Sequence, residues 1–148
     1  TLFRSEYQID SNTIRDNGED GINLKAPGQE VRSMFIQGND VYRNGRHGLN
    51  LEDGTAINMD VVNNRFWNNG LTASGNGINL ASEVKISSFS ANKIRDIQST
   101  PTQQYPVYAS GTLTDVDISF NHCVGNAQNT LNLTGTQTRV TTLNNPGI

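Results

Sequence analysis

The chain is short of almost everything that builds a layered core. It holds one cysteine, one tryptophan, two methionines and four prolines. A single cysteine, Cys123, excludes an intrachain disulfide and any cysteine-rich zinc site. No apolar run approaches bilayer-spanning length, which argues against a membrane partner. Eleven basic residues face fourteen acidic ones, for a net charge of -3. The electrostatic footprint of a nucleic-acid binder is therefore missing. Hydrophobic residues make up only 34 % and mean hydropathy is -0.54, lean for a packed globule. Yet charged residues, at 17 %, are too few for a disordered chain. The 148 residues suit one domain. The first residue is not Met and no secretory leader is visible. The expectation is one domain over residues 1–148, a fragment or C-terminal part of a longer chain.

What the chain does have is a repeat. Asn39-Asp40-Val41-Tyr42-Arg43-Asn44-Gly45-Arg46-His47-Gly48-Leu49-Asn50-Leu51 carries an asparagine, an Asn-Gly turn and a short alternating strand. Asn12 to Leu24 repeats the pattern one step earlier, and Asn64 to Leu80 one step later with an insertion. The anchor fits at Ile9/Asn12/Ile14, Ile36/Asn39/Val41, Val61/Asn64/Phe66, Phe89/Asn92/Ile94 and Ile118/Asn121/Cys123. Its asparagines lie 27, 25, 28 and 29 residues apart. A second apolar pair follows each: Ile22/Leu24, Leu49/Leu51, Ile78/Leu80, Val107/Ala109 and Leu131/Leu133. A third inward position precedes each: Tyr7, Met34, Met59, Ile86 and Val116.

Three short runs of period-two alternation per repeat mean three strands with one buried face. Stacked at a fixed repeat, they predict an all-β, right-handed parallel β-helix, a solenoid of about five coils of 25–29 residues. At about 4.8 Å per coil the rod is on the order of 25 Å long. Parallel stacking sets like over like, so the anchor asparagines should form a ladder and turn the bends through left-handed backbone. The Asn-Gly pairs at 17–18, 44–45 and 69–70 should supply positive φ at the next bend. Two excursions, Leu71 to Asn76 and Asp96 to Pro106, should leave one edge and stack side by side. The tail from Val140 to Ile148 starts a sixth turn. Open solenoid ends need covers, so end-to-end stacking or a homotrimer is expected.

The strand after each Asn-Gly turn carries the chemistry. Its outward residues are Asn23, Asn50, Asn79, Tyr108 and Asn132, preceded by Asp20, His47 and Asn76 and followed by Lys25 and Glu52. One coil apart, Asp20 falls beside His47, Glu19 beside Arg46, and Lys25 beside Glu52. Such a polar stripe suits a sugar polymer, and Arg or Lys suits uronate carboxylates. His47 and Asp20 are the catalytic candidates, as a proton-transfer pair. Arg46, Asn23, Lys25, Asn50, Glu52, Asn79, Tyr105 and Tyr108 are the substrate-binding candidates, with either tyrosine able to stack on a sugar ring. No cofactor is required. Calcium is an option offered only by Glu19, Asp20, Glu52 and Asp53.

Asn17-Gly18-Glu19-Asp20-Gly21-Ile22 and Asn44-Gly45-Arg46-His47-Gly48-Leu49-Asn50 resemble repeats of the pectate-lyase-like β-helix superfamily. The likeness is nearest to alginate (mannuronan) C5-epimerase modules, where Asp-Gly and Arg-His-Gly turns also sit on consecutive coils. That resemblance implies a site role for His47 and, less specifically, Asp20. The Tyr-Gly-Phe-Asp-Pro-His motif of those epimerases is absent here. Phage tailspike β-helices share the repeat grammar, without carrying over any residue. Two readings stay open: a β-helix that binds or processes an acidic polysaccharide, and a non-catalytic structural or adhesin segment such as part of a tail spike. Either implies an extracellular, cell-surface or virion setting, and whether the chain is an enzyme stays open.

Overall fold

A computed structural model describes residues 7–147, and the chain is a parallel β-solenoid. Every strand pairing is parallel, and each coil hydrogen-bonds the coils before and after it. One sheet of five strands (Thr13–Arg15, Asp40–Tyr42, Arg65–Trp67, Lys93–Arg95, His122–Val124) forms one face. A ten-stranded sheet wraps the others, because Ile22–Gln37 and Leu49–Val62 run continuously around a corner.

The core is a set of columns, one residue per coil. Ile36, Val61, Phe89 and Ile118 make one, and Val41, Phe66, Ile94 and Cys123 another, all fully buried. Burial pushes the Cys123 thiol up to about 12, which leaves it inert as a nucleophile. The structure adds a column that period-two reading missed: Val31, Ala56, Val84 and Leu113. Each coil thus has four short inward runs rather than three. The extra run ends at a sharp bend, where Ser33, Asn58, Ile86, Asp115 and Arg139 all take positive φ. Ile86 is therefore not inward. It occupies the bend and is 60 % exposed, while Ser87 fills the place under Met59. Ser87 Oγ satisfies itself there by accepting the Met59 N–H and donating to the Lys85 carbonyl.

The asparagine ladder has six rungs: Asn12, Asn39, Asn64, Asn92, Asn121 and Asn145. Each side-chain amide donates to the next asparagine's Oδ1 at 2.9–3.1 Å. Asn145 belongs to the sixth turn that the tail begins; Ile148 lies outside the described residues. The rungs do not themselves carry the left-handed backbone. The residue before each one does: Ser11, Gly38, Asn63, Ala91, Phe120 and Asn144. The same offset corrects the next bend, where Asp16, Arg43 and Asn68 take positive φ; of the three Asn-Gly glycines Gly70 also does, and Gly18 and Gly45 do not.

A second ladder runs through that bend. Asn17, Asn44, Asn69, Gln103 and Asn126 pass side-chain hydrogen bonds from coil to coil at 2.6–3.0 Å. Gln103 substitutes for asparagine after the long excursion, and its longer side chain keeps the ladder unbroken. The two excursions do lie together. Gly75 and Gln103 form a parallel bridge, and Gln104 donates to the Gly75 carbonyl.

Asn64 holds five hydrogen bonds in a site that water does not reach. Asn64→Leu orphans those partners, each costing about 1–3 kcal/mol when left buried and unpaired. A loss of roughly 3–5 kcal/mol is expected. Asn12→Leu, on the exposed first rung, should cost far less. Urea melts of the two variants measure the difference, and equal midpoints would contradict the ladder's role.

Candidate functional site

The site forms where the second ladder hands over to the Ile22–Leu24 face. Backbone bonds fix the stack: Gly21 N–H to the His47 carbonyl, Gly48 to Asn76 and Gly77 to Tyr105. They place Asp20, His47, Asn76 and Tyr105 in one column. Asn23, Asn50, Asn79 and Tyr108 form a second column in strand register. Gly75 lies over Arg46, and a Cβ there would sit 1.9 Å from the Arg46 carbonyl oxygen. Only glycine admits that approach.

Asp20 is the buried centre of this arrangement. Its Oδ1 accepts the backbone N–H of His47 at 3.0 Å. Its Oδ2 accepts Arg46 Nη2 and Asn50 Nδ2, both at 2.8 Å. Burial alone raises the carboxyl, but the His47 N–H, the Asn50 amide and the Arg46 guanidinium outweigh it and hold Asp20 below the ordinary 3.8. A relay of amides ends on this carboxylate: Asn76 donates to Asn79, Asn79 to Asn50, and Asn50 to Asp20.

Asp20 and His47 are thus brought together, but through the His47 backbone rather than its imidazole. The ring's Nδ1 instead accepts the Asn76 N–H at 2.9 Å. That bond requires an unprotonated Nδ1, so the neutral ring carries its proton on Nε2. Burial lowers the His47 pKa below the ordinary 6.5, against the opposing pull of Asp20. Nε2 has no hydrogen-bond partner among the described residues.

The remaining candidates divide. Asn50 and Asn79 are only 2 % and 7 % exposed, which corrects their assignment to an open outer face: their amides hold Asp20. Asn23 and Lys25 are exposed and both bind Glu52, at 3.2 and 3.1 Å. They lower the Glu52 carboxyl and form a surface cluster beside the site. Arg46 is one-third exposed, bonded to Asp20 and 3.3 Å from Glu19, and its buried Nε has no partner. Tyr105 and Tyr108 stack at 5.8 Å and stay partly open. No three of the described His, Cys, Asp or Glu side chains group as a metal site, so Glu19, Asp20, Glu52 and Asp53 do not converge as a calcium set. An open pocket of about 490 Å³ is lined by Phe120, Asn144, Asn145 and Pro146, away from this chemistry.

The family described as right handed beta helix region matches residues 2–122. The chain belongs to that family. The fold is found in polysaccharide-processing and in structural proteins. No curated protein and no solved structure matches the chain. Within this β-helix the Asp20 turn and the Arg46-His47 turn lie on adjacent coils, as the repeat spacing placed them. The sequence pattern missed the role of Asn76, whose backbone N–H sets the histidine tautomer and whose side chain starts the amide relay. Its column position, one coil after His47, was the available signal.

Two tests follow from this geometry. A folded-state pKa lowered from 6.5 means that His47 contributes stability above that value and loses it as pH falls through the folded value. Between pH 7 and 5 the melting temperature should fall, and His47→Gln, whose amide oxygen can accept the Asn76 N–H, should flatten the fall. The Asp20 contribution is lost only below 3.8, because its pKa is also lowered. Asp20→Asn turns one acceptor into a donor facing Arg46 and Asn50. It should cost about 2–3 kcal/mol in urea unfolding at pH 7.

Proposed function

We propose that this β-helix binds an acidic polysaccharide along the groove headed by the Arg46-His47 turn. The observation that carries the reading is the arrangement around Asp20. A buried carboxylate holds one guanidinium and the backbone of His47, while the Asn76 N–H sets the imidazole, leaving Arg46 partly open and His47 Nε2–H without a partner among the described residues. A guanidinium suits a uronate carboxylate and an imidazole N–H suits a sugar hydroxyl. The Tyr105–Tyr108 pair lies two coils beyond His47 and Asn50 on the same columns, where a sugar ring finds an aromatic edge. The low charge of the chain and the polar surface of the groove fit a hydrated polymer better than an apolar ligand. The matching setting is extracellular, at a cell surface or on a virion.

Binding is favoured over proton-transfer catalysis by two features. Asp20 is buried and already accepts three hydrogen bonds. Nε2 of His47 already carries the proton in this tautomer, so it can accept one there only by moving that proton to Nδ1 and giving up the Asn76 bond. An epimerase- or lyase-like reaction with His47 and Asp20 in catalytic parts is the second reading. It is favoured by Arg46, a cation able to ease proton abstraction beside a bound carboxylate.

Affinity electrophoresis in gels containing alginate, pectate or a neutral glucan tests the proposal. One acidic polymer should retard the protein. Arg46→Gln, which keeps an N–H donor for Asp20 but removes the charge, should weaken retardation about tenfold, as expected for losing a charge-assisted hydrogen bond. Appearance of unsaturated uronate or a changed epimer ratio would favour the catalytic reading. Retardation by no polymer would leave a structural rod.

A further inference from the structure

The five-stranded sheet turns a different surface outward, and its charge is unlike that of the rest of the chain. Five of the eleven lysines and arginines lie on this face or its edge: Arg15, Arg43, Arg65, Lys93 and Arg95. Two carboxylates accompany them. Asp16 pairs with Arg15 and Arg43, each at 3.1 Å. Asp40 pairs with Arg65 at 3.3 Å and accepts Trp67 Nε1 at 2.6 Å. A third acid, Asp96, follows Arg95 but is buried and turned onto the N–H groups of Gln98, Thr102 and Gln103. Lys93 and Arg95 have no ion-pair partner among the described residues. The register makes this costly, since Arg65 and Lys93 are direct partners on adjacent strands, where like charges repel.

The arginines are held in place by an aromatic spine. Tyr42 and Trp67 stack at 4.4 Å and 19° along the solenoid axis. Arg15 covers the Tyr42 ring at 6.0 Å, and Arg65 and Arg95 lie over Trp67 at 5.7 and 5.9 Å. The ring faces are therefore occupied by each other and by guanidinium groups. Stacking of an exposed base or sugar on them is blocked. What remains accessible is the edges of the guanidinium groups and the Lys93 ammonium, and Lys93 and Arg95 carry charge that no described carboxylate pairs with.

We propose that this face is a second binding surface, independent of the Arg46-His47 groove, and that its ligand is the carboxylate row of an acidic polysaccharide. Arginine forks recognise carboxylates bidentately, and the bound anions relieve the repulsion between Arg65, Lys93 and Arg95. Single-stranded nucleic acid is disfavoured because its sequence-tolerant binding needs open aromatic faces.

Titration with polygalacturonate, its methyl ester and an oligothymidine tests this surface. Lys93→Gln/Arg95→Gln should raise the polygalacturonate Kd about tenfold, the loss of two charge contacts. Binding of the double variant should also depend less on salt. Trp67→Leu keeps every charge but removes the spine, and should weaken binding several-fold. Thermal melts check that both variants fold, and Lys93→Gln alone, at an exposed position, supplies the fallback. Arg46→Gln should leave this component intact, so loss of the groove and loss of this face read out separately. Unchanged affinity in the folded double variant, equal binding of the methyl ester, or competition by oligothymidine at equal affinity each overturns the proposal.

Discussion

Buried amides hydrogen-bonded from coil to coil are the constraint on which the solenoid depends. A bend between strands leaves backbone N–H and C=O groups with no sheet partner, and burying them unpaired is costly. Each asparagine rung answers for the bend of the preceding coil. Asn92, for example, donates to the Val61 carbonyl and to the Asn121 side chain, while its Oδ1 accepts the Asn64 N–H. Because a rung needs the rung above and below, one asparagine is useful only in a stack. This makes stability cooperative along the axis, as expected where each repeat contacts only its neighbours. It also explains how a chain with so little apolar content holds a dry interior. Two ladders close two bends with polar side chains, leaving the apolar columns to fill only the space between.

The same device builds the functional stripe. Asn50 and Asn79 form a short third run of amides, but here the run ends on a carboxylate instead of another amide. A carboxylate only accepts, so all donors converge on Asp20 and the charge is held without water. Arg46 and His47 are positioned as a result, one by its guanidinium and the other by its backbone. The site is therefore a local change of terminus in a structural motif. That is why its residues look so much like the scaffold around them.

How much of this is legible in sequence depends on what each side chain repeats. The first ladder is plain, because asparagine recurs at intervals of 25–29 residues between apolar neighbours. The second is hidden at Asn69 to Gln103, where the interval stretches to 34 and the residue type changes. The Val31 column is hidden because it holds one inward residue per coil and so shows no alternation. Ile86 misleads because apolar character points inward by habit, whereas the backbone at that bend needs positive φ and turns the side chain out. Asp20 and His47 were found as neighbours, yet sequence spacing says nothing about which atoms meet. Only geometry assigns Asp20 to a backbone N–H and reads the histidine as a donor.

Tyr42 and Trp67 show the converse. Their separation equals that of Asn39 and Asn64, so their stacking follows from the repeat itself. In a parallel solenoid any residue type placed twice at one position becomes a contact, whether amide, aromatic or ion pair. Like charges obey the same rule, which is why Arg65 over Lys93 is informative. The parallel arrangement amplifies a favourable choice into a ladder and an unfavourable one into a row of repulsions. An unfavourable row that the described carboxylates leave only partly compensated points to a counter-charge from outside the chain. The Asp20 site has its counter-charge inside and presents a cation already neutralised in part. The two faces thus differ in the charge they present. The Asp20 stripe has a few fixed donors of defined geometry, and the Trp67 face carries Lys93 and Arg95 with no ion-pair partner among the described residues.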